Sequence, residues 1–269
     1  MSSITASEVQ PRLRKASTRR DLLVLWQNAD TRAIDVVGRL TFDAQTYRFA
    51  YSRRAASVDG FRPLPGLRDM TRLYESSALF PLFAQRVMDP SRPGYERYVT
   101  RLGLTPEETT PWEQIVRSGG RREGDTLQFL PAPTVHDGVA EAIFLAHGVR
   151  WIAGKALHVD GGPREITATE QEWALASLQR GDELGLLAEP GNPKSPLATL
   201  VTAQGVPVGY IPQILVGAVS RLGGSARLRV VTVNGPDAPP HLRLIVRLEA
   251  SVDGEFAFDP EGDWNPVAG

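Results

Sequence analysis

Short runs in which apolar and polar residues alternate recur along this chain, and they restrict it to a fold built largely from half-buried strands. In 46–52, Tyr47, Phe49 and Tyr51 alternate with polar or small residues, which is the period-2 pattern of a strand with one buried face. Similar or continuous apolar runs predict strands at 21–27, 35–42, 126–131, 182–189, 197–203, 206–211, 226–234 and 241–251, and a strand that leads into a turn within 141–154.

Helix signals are fewer. In 109–120, Thr110 is placed to cap a helix, Pro111 fits its first turn, and Gly119 with Gly120 ends it. The segment 169–181 carries a capping box, Thr169 with Glu172, and a terminal glycine. Two more helices are predicted, at 212–224 and at 74–88, where Pro81 either kinks the helix or marks its true start.

The order of these elements predicts an α+β fold with two small modules. The proline-rich, polar stretch 130–138 indicates a short linker at 134–140 between modules at 21–133 and 141–251. The second module, with five or six short strands and two helices, is compatible with a small, partly open OB-like barrel. Residues 1–20, with five basic residues against one acid, are expected to be a flexible basic arm, and 252–269 form an acidic tail. The arm either touches phosphates or is simply solvated.

Several function classes are excluded by missing residues. The chain has no cysteine, and its four histidines show no i,i+4 pairing, so we expect no metal and no cofactor. The stretch GVRWIAGK has one residue too many for a phosphate-binding loop, and Ala156 stands where such a loop has Ser or Thr. Kinase and hydrolase motifs are missing as well, so we expect no catalytic residue. With no apolar run near the ~20 residues of a membrane span and no signal peptide, a cytoplasmic location is expected.

Residues 141–251 carry three motifs in register: GVRWIAG, GDELGLLAEPGNP, and GVPVGYIP followed by a predicted helix. In this order and spacing they resemble the HIRAN domain, an OB-like module found alone in bacteria and fused to DNA-remodelling ATPases in eukaryotes. In its best understood example the domain grips the 3′ end of single-stranded DNA. The resemblance therefore implies a nucleic-acid partner, with single-stranded DNA or a DNA end as the expected form.

The resemblance also implies a set of binding residues. Arg150 and Trp151 match the family's Arg-aromatic pair, where a guanidinium pairs with phosphate and a ring stacks on a base. Asn192 matches the family's Asn-x-Tyr-Asp turn, but Lys194 and Ser195 replace its Tyr and Asp. Two further positions, Tyr210 in place of a His and Gln213 in place of a basic residue, complete the implied site.

Each of these positions also has an ordinary structural interpretation. Trp151 is either a stacking platform or a core residue, and Tyr210 either lines the site or packs the sheet. Asn192 is expected to fix its turn in either case, because Asn-Pro loops use the Asn side chain in this way. Arg150 is the residue that packing explains least.

The first block, 21–133, resembles the N-terminal subdomain of HipA-type toxin kinases. The matching features are VGRL followed by YRFAYS, then ALFPLFAQRVM, LGL, PWEQIVRSGG and TLQFLP. The kinase core that follows in that family is replaced here by the HIRAN-like block. The resemblance implies a protein-interaction module whose partner is a HipA-type kinase or a helix-turn-helix repressor, with a role in toxin–antitoxin control or phage defence.

Two hypotheses therefore follow from the sequence. In the first, the chain is a non-catalytic bacterial protein that binds nucleic acid through the second module and a protein through the first. In the second, it is an antitoxin-like subunit that binds only a protein partner, without DNA-end binding. The balanced charge of 141–251, with ten basic and ten acidic residues, disfavours strong nonspecific DNA binding.

Overall fold

The computed structural model describes residues 20–107, 109–122, 124–159 and 161–268. Within them the first block forms an antiparallel five-stranded sheet in the order β4-β3-β2-β1-β5 with three helices. Its elements are β1 Arg20–Gln27, β2 Ile34–Phe42, β3 Tyr47–Tyr51, β4 Tyr74–Ser76, α1 Pro81–Ala84, α2 Tyr95–Arg101, α3 Pro111–Ser118 and β5 Leu127–Pro131.

The second block forms a seven-stranded antiparallel sheet and a separate hairpin. The sheet order is β12-β11-β10-β13-β14-β7-β6, and β8 pairs with β9. Its elements are β6 Thr134–His136, β7 Val139–Leu145, β8 Ala156–Val159, β9 Gly162–Glu165, α4 Ala168–Ala176, β10 Glu183–Ala188, β11 Thr199–Ala203, β12 Val206–Tyr210, α5 Gln213–Leu222, β13 Arg227–Val233 and β14 Leu244–Ser251. The expected α+β class, with mainly antiparallel strands, is confirmed.

The seven-stranded sheet curls but is not closed by a ladder of strands in the described part of the chain. A single bridge joins the continuation of β7 to β12: the backbone N–H of His147 donates to Tyr210 O at 2.9 Å, and that of Tyr210 to His147 O at 2.8 Å. The OB-like barrel expected from the sequence is therefore an open, curled sheet held at one point.

Two local predictions are corrected, and two elements were not predicted. The segment 74–88 is not one helix, because Pro81 has no amide hydrogen to give an interior turn; it starts α1 instead, and β4 precedes it. The capping box of α4 is Thr167 with Glu170, two residues before the predicted pair. Sequence analysis gave no sign of α2 or of the β8–β9 hairpin.

The segment expected to be a linker, 134–140, forms β6, a tight turn and the start of β7. Asp137 and Gly138 both have positive φ, 50° and 72°, as the central residues of a two-residue hairpin turn require. Residues 1–19 of the expected flexible arm lie outside the described residues. Its last residue, Arg20, begins β1. The acidic tail packs onto the protein: Phe258 is buried, and Ser52 and Pro266 form a β-bridge.

The two blocks share hydrophobic cores. Side chains of β1 alternate between two clusters, so that Leu22 and Val24 pack within the first block while Leu23 and Leu25 pack against residues of the second. A third cluster joins α2 to the sheet of the second block, with Val99 and Leu102 beside Ile245. This arrangement brings the β1–β2 turn of the first block next to the HIRAN-like motifs of the second.

Candidate functional site

One cleft of about 880 Å³ collects every predicted binding residue. The turn after β7, the loop after β10, the end of β12 and the start of α5 supply its walls. The predicted residues that line it are Arg150, Trp151, Asn192, Lys194, Ser195, Tyr210 and Gln213. They lie in or directly after three separate sequence motifs, so their meeting in one place is a property of the fold.

A single 3-10 turn, Val149–Trp151, presents Arg150 and Trp151 to solvent. Gly148 begins this turn with a φ of 63°, and a side chain there would have its Cβ 2.9 Å from Tyr210 Cδ2. Val149 and Ile152 are buried on the inner side. The two residues between them therefore face outward, and Trp151 keeps 50% of its surface exposed. The interpretation of Trp151 as a core residue is wrong.

Two cations lie over the indole of Trp151. The guanidinium carbon of Arg150 is 4.5 Å and the Lys155 ammonium 4.6 Å from the ring centroid. Such contacts hold the ring and both charges together at the cleft surface. Lys155 was not among the residues predicted for the site.

A buried carboxylate, Glu189, organises the floor of the cleft. Its Oε1 accepts the backbone N–H of His158 at 2.9 Å. Its Oε2 accepts from Asn192 Nδ2 at 2.7 Å and from the Tyr210 hydroxyl at 2.9 Å. Burial, and then the bond to Glu189, raise the pKa of Tyr210 above its usual value. The phenol is therefore a neutral hydrogen-bond donor. Tyr210 packs against the sheet, as expected, and its hydroxyl also holds the Glu189 carboxylate.

The Asn-Pro loop is fixed by its own side chains. Asn192 Oδ1 accepts the Lys194 N–H at 2.9 Å, and Ser195 Oγ accepts the Leu197 N–H at 3.3 Å. These bonds leave Asn192 with a structural role, as its Asn-Pro context predicts. Lys194 remains exposed at the rim, where its ammonium is available to a ligand.

The first block supplies part of the wall, which sequence analysis missed. Arg32, in the β1–β2 turn, lines the cleft together with Gln27 and Ile34. The unusual feature of Arg32 is its positive backbone φ of 63°, which is visible in the structure and not in the sequence. No pattern in the chain predicts that this turn meets the HIRAN-like motifs, because the contact depends on how the blocks pack.

Basic groups predominate over acidic ones in the cleft. Among its described lining residues, four are Lys or Arg and the single carboxylate is Glu189. Some arginines elsewhere are paired, as Arg243 is with Glu172 at 2.8 Å. In the described part of the chain, by contrast, no ion pair involves the four cleft cations, Arg32, Arg150, Lys155 and Lys194. The cleft can therefore attract anions, and its exposed indole can stack on a planar ring.

The described residues contain no cluster of three or more metal-ligating His, Asp or Glu side chains. Their helices are all too short or too polar to cross a bilayer.

Comparison with known proteins adds one similarity. No family model and no curated protein matches the sequence. Among solved structures, the chain is similar to the crystal structure of the HIRAN domain of human HLTF, at 15% identity over 43% of this chain and 78% of that one. The TM-score is 0.25, which is too low to establish a shared fold.

Proposed function

We propose that this protein binds single-stranded nucleic acid in the cleft, with Arg150 and Trp151 as its principal contacts. The observation that carries the proposal is the convergence of seven residues, in or directly after three HIRAN-like motifs, on one cleft. Its cations form no ion pair within the described part of the chain, and its indole is exposed. The cations are suited to neutralise phosphates, and the indole is suited to stack on an unpaired base.

The arrangement around Trp151 suggests how a base enters. Arg150 and Lys155 already lie over the ring, so a stacking base takes the place of one of them. The displaced cation is then close to the phosphate of that same nucleotide. A base paired in a duplex presents no free face to the indole, and we therefore expect single strands to bind more tightly than duplexes.

Binding is tested by fluorescence anisotropy with three labelled probes of roughly 12 nucleotides, within the usual size range of single-strand sites. The probes are a DNA strand with a free 3′-hydroxyl, the same strand with a 3′-phosphate, and a blunt duplex. Both single strands should bind more tightly than the duplex. Failure of the single strands to bind, or equal binding of the duplex, would refute the proposal. Preference for the free hydroxyl would add that Lys194 and Ser195 maintain end recognition.

The role of Arg150 is tested with the variant Arg150→Ala. Loss of one phosphate contact should weaken binding and reduce the slope of log K against log salt by about 0.7. Arg227→Ala is the control, because Arg227 is an exposed arginine of β13 that lies outside the cleft. Equal behaviour of the two variants would remove Arg150 from the site.

The predicted HipA-like module and its kinase or repressor partner, together with the toxin-control and phage-defence setting, stay predictions. Packing limits where such a partner can bind. One face of the first sheet, through Leu23 and Leu25, is covered by the second block. A partner protein must therefore use another surface of the first block, and co-purification with the full chain is the appropriate test.

A further inference from the structure

A second pocket, of about 640 Å³, adjoins the cleft. Arg150 and Trp151 line both, as do Arg32 and His147. We call it the arginine pocket, after the residues that set its character: Arg32, Arg121, Arg122 and Arg150, with His147 and His241. Both blocks of the chain contribute to it, so it exists only because they pack together.

The arginine pocket has a clear excess of positive charge. Among its described lining residues Asp125 is the one carboxylate, and it is already paired with Arg86, whose Nη2 lies 2.5 Å from Asp125 Oδ2. The side chain of Arg86 is itself only 2% exposed. The one acid among the described lining residues is thus neutralised by a buried arginine, and it does not compensate the four lining arginines.

Arg121 is exposed in this pocket and interacts with most of its charged groups. Its own pKa is lowered, first by the protein atoms packed around it and then by repulsion from Arg150 and Arg32. Burial and the charge of Arg121 also lower the pKa of His147 to about 3 and that of His241 to about 4. At neutral pH both imidazoles are uncharged, and a neutral imidazole has one N–H that can be donated. Guanidinium and imidazole donors around one cavity suit a phosphate group.

We infer that the arginine pocket binds a phosphodiester group of the strand held in the cleft, so that the strand runs from the Asn192 loop across Trp151 to Arg121. The inference rests on the proposed function and extends it: it gives the path of the strand across the protein, and it gives the first block a role in binding. Arg150 and Trp151 line both cavities, and they therefore provide the connection along which a continuous backbone passes.

The test is a scan of single-stranded probes in which one phosphodiester at a time is replaced by an uncharged methylphosphonate. In the wild-type protein, one or two adjacent replacements should weaken binding roughly tenfold, the size expected for a lost charge-assisted hydrogen bond. The variant Arg121→Gln should show this loss with the unmodified strand and no further loss at the same positions. Arg32 lines the same pocket from the β1–β2 turn, and Arg32→Gln should show the same pattern.

Arg68→Gln, an exposed arginine outside both cavities, is the control and should leave the scan unchanged. The inference would be overturned if methylphosphonates weakened binding to Arg121→Gln equally at every position of the scan. It would also be overturned if Arg121→Gln bound the unmodified strand as tightly as the wild-type protein does. If the wild-type protein does not bind the unmodified strand, the proposed function itself fails. Titration with inorganic tripolyphosphate then decides: binding that Arg121→Gln abolishes would make the pocket a site for free polyphosphate, which overturns a strand path.

Discussion

Tyr210 donates its hydroxyl hydrogen to Glu189 Oε2 over 2.9 Å while its backbone makes the bridge to His147. One residue thus connects the end of β12, the loop after β10 and the turn that carries Arg150. Because Glu189 also receives bonds from His158 and Asn192, a change at the carboxylate should affect the whole floor of the cleft.

Tyr210→Phe should lower the free energy of unfolding by about 1 kcal/mol, since it removes one hydrogen bond and leaves the ring and the backbone bridge in place. Urea denaturation of Tyr210→Phe, Glu189→Gln and the double variant measures the coupling between the two side chains. A coupling energy near zero would show that the bond contributes nothing to stability.

Trp151→Ala should weaken single-strand binding by about 1–3 kcal/mol, the usual contribution of one stacked base. Its effect on stability should be small, because half of the indole surface is already exposed. Trp173→Ala is a matched control, as Trp173 is 60% exposed on α4, away from the cleft. If both variants bind like the wild type, the stacking role of Trp151 is wrong.

Gly148→Ala should destabilise the protein more than Gly154→Ala. Both glycines have positive φ, 63° and 73°, so an alanine at either position adds about 1–2 kcal/mol of backbone strain. Only at Gly148 would the new Cβ also approach Tyr210, at 2.9 Å, whereas nothing lies within 4 Å of a Cβ at Gly154. The difference between the two denaturation midpoints isolates that contact, and equal midpoints would contradict it.

Thr167→Ala should lower the free energy of unfolding by about 1 kcal/mol, because Thr167 is the N-cap of α4. Thr169→Ala should have little effect, since Thr169 lies within the helix. Thermal denaturation of the two variants distinguishes the observed capping pair from the one that the sequence first suggests. A larger loss in Thr169→Ala would favour the latter.

Stability should decrease as the pH falls from about 6.5 to about 4. In this range the unfolded chain protonates His147 and His241, whose folded pKa values are about 3 and about 4 against a normal value of 6.5. Each contributes at most roughly 1.4 kcal/mol per pH unit, and this contribution is fully present above pH 6.5. Carboxyl groups with a lowered pKa, such as Asp43 at about 2, lose their contribution to stability only at still lower pH. Urea denaturation across this range, with His241→Asn for comparison, should give a shallower slope in the variant.

Strand positions were predictable from the sequence because their pattern is local. Tyr47, Phe49 and Tyr51 are buried in β3, as their alternation predicts. The Asp137–Gly138 pair is also a recognised hairpin signal, so β6 and the first residues of β7 could have been recognised in place of a linker. The capping error arose because two overlapping Thr-x-x-Glu patterns, from Thr167 and from Thr169, fit the same helix. Glu172, the acid of the second pattern, is paired with Arg243 in the fold.

The site was only half predictable. Arg150 and Asn192 lie in motifs, and a motif is visible in one sequence. Arg32 and Arg121 belong to the first block, and their approach to Arg150 depends on how two sheets pack. That packing is decided by apolar side chains such as Leu23 and Leu25, whose alternation predicts a strand but does not say what covers its second face.

The alternation along β1 has a practical meaning for protein engineering. Residues 141–251 could be mistaken for a transplantable cassette, because all the recognisable motifs fall inside them. Excised alone, they would lose Leu23, Leu25 and Leu130 from their interior and Arg32 from the wall of their cleft. Anyone who grafts this cleft onto another protein has to move both blocks as a single part.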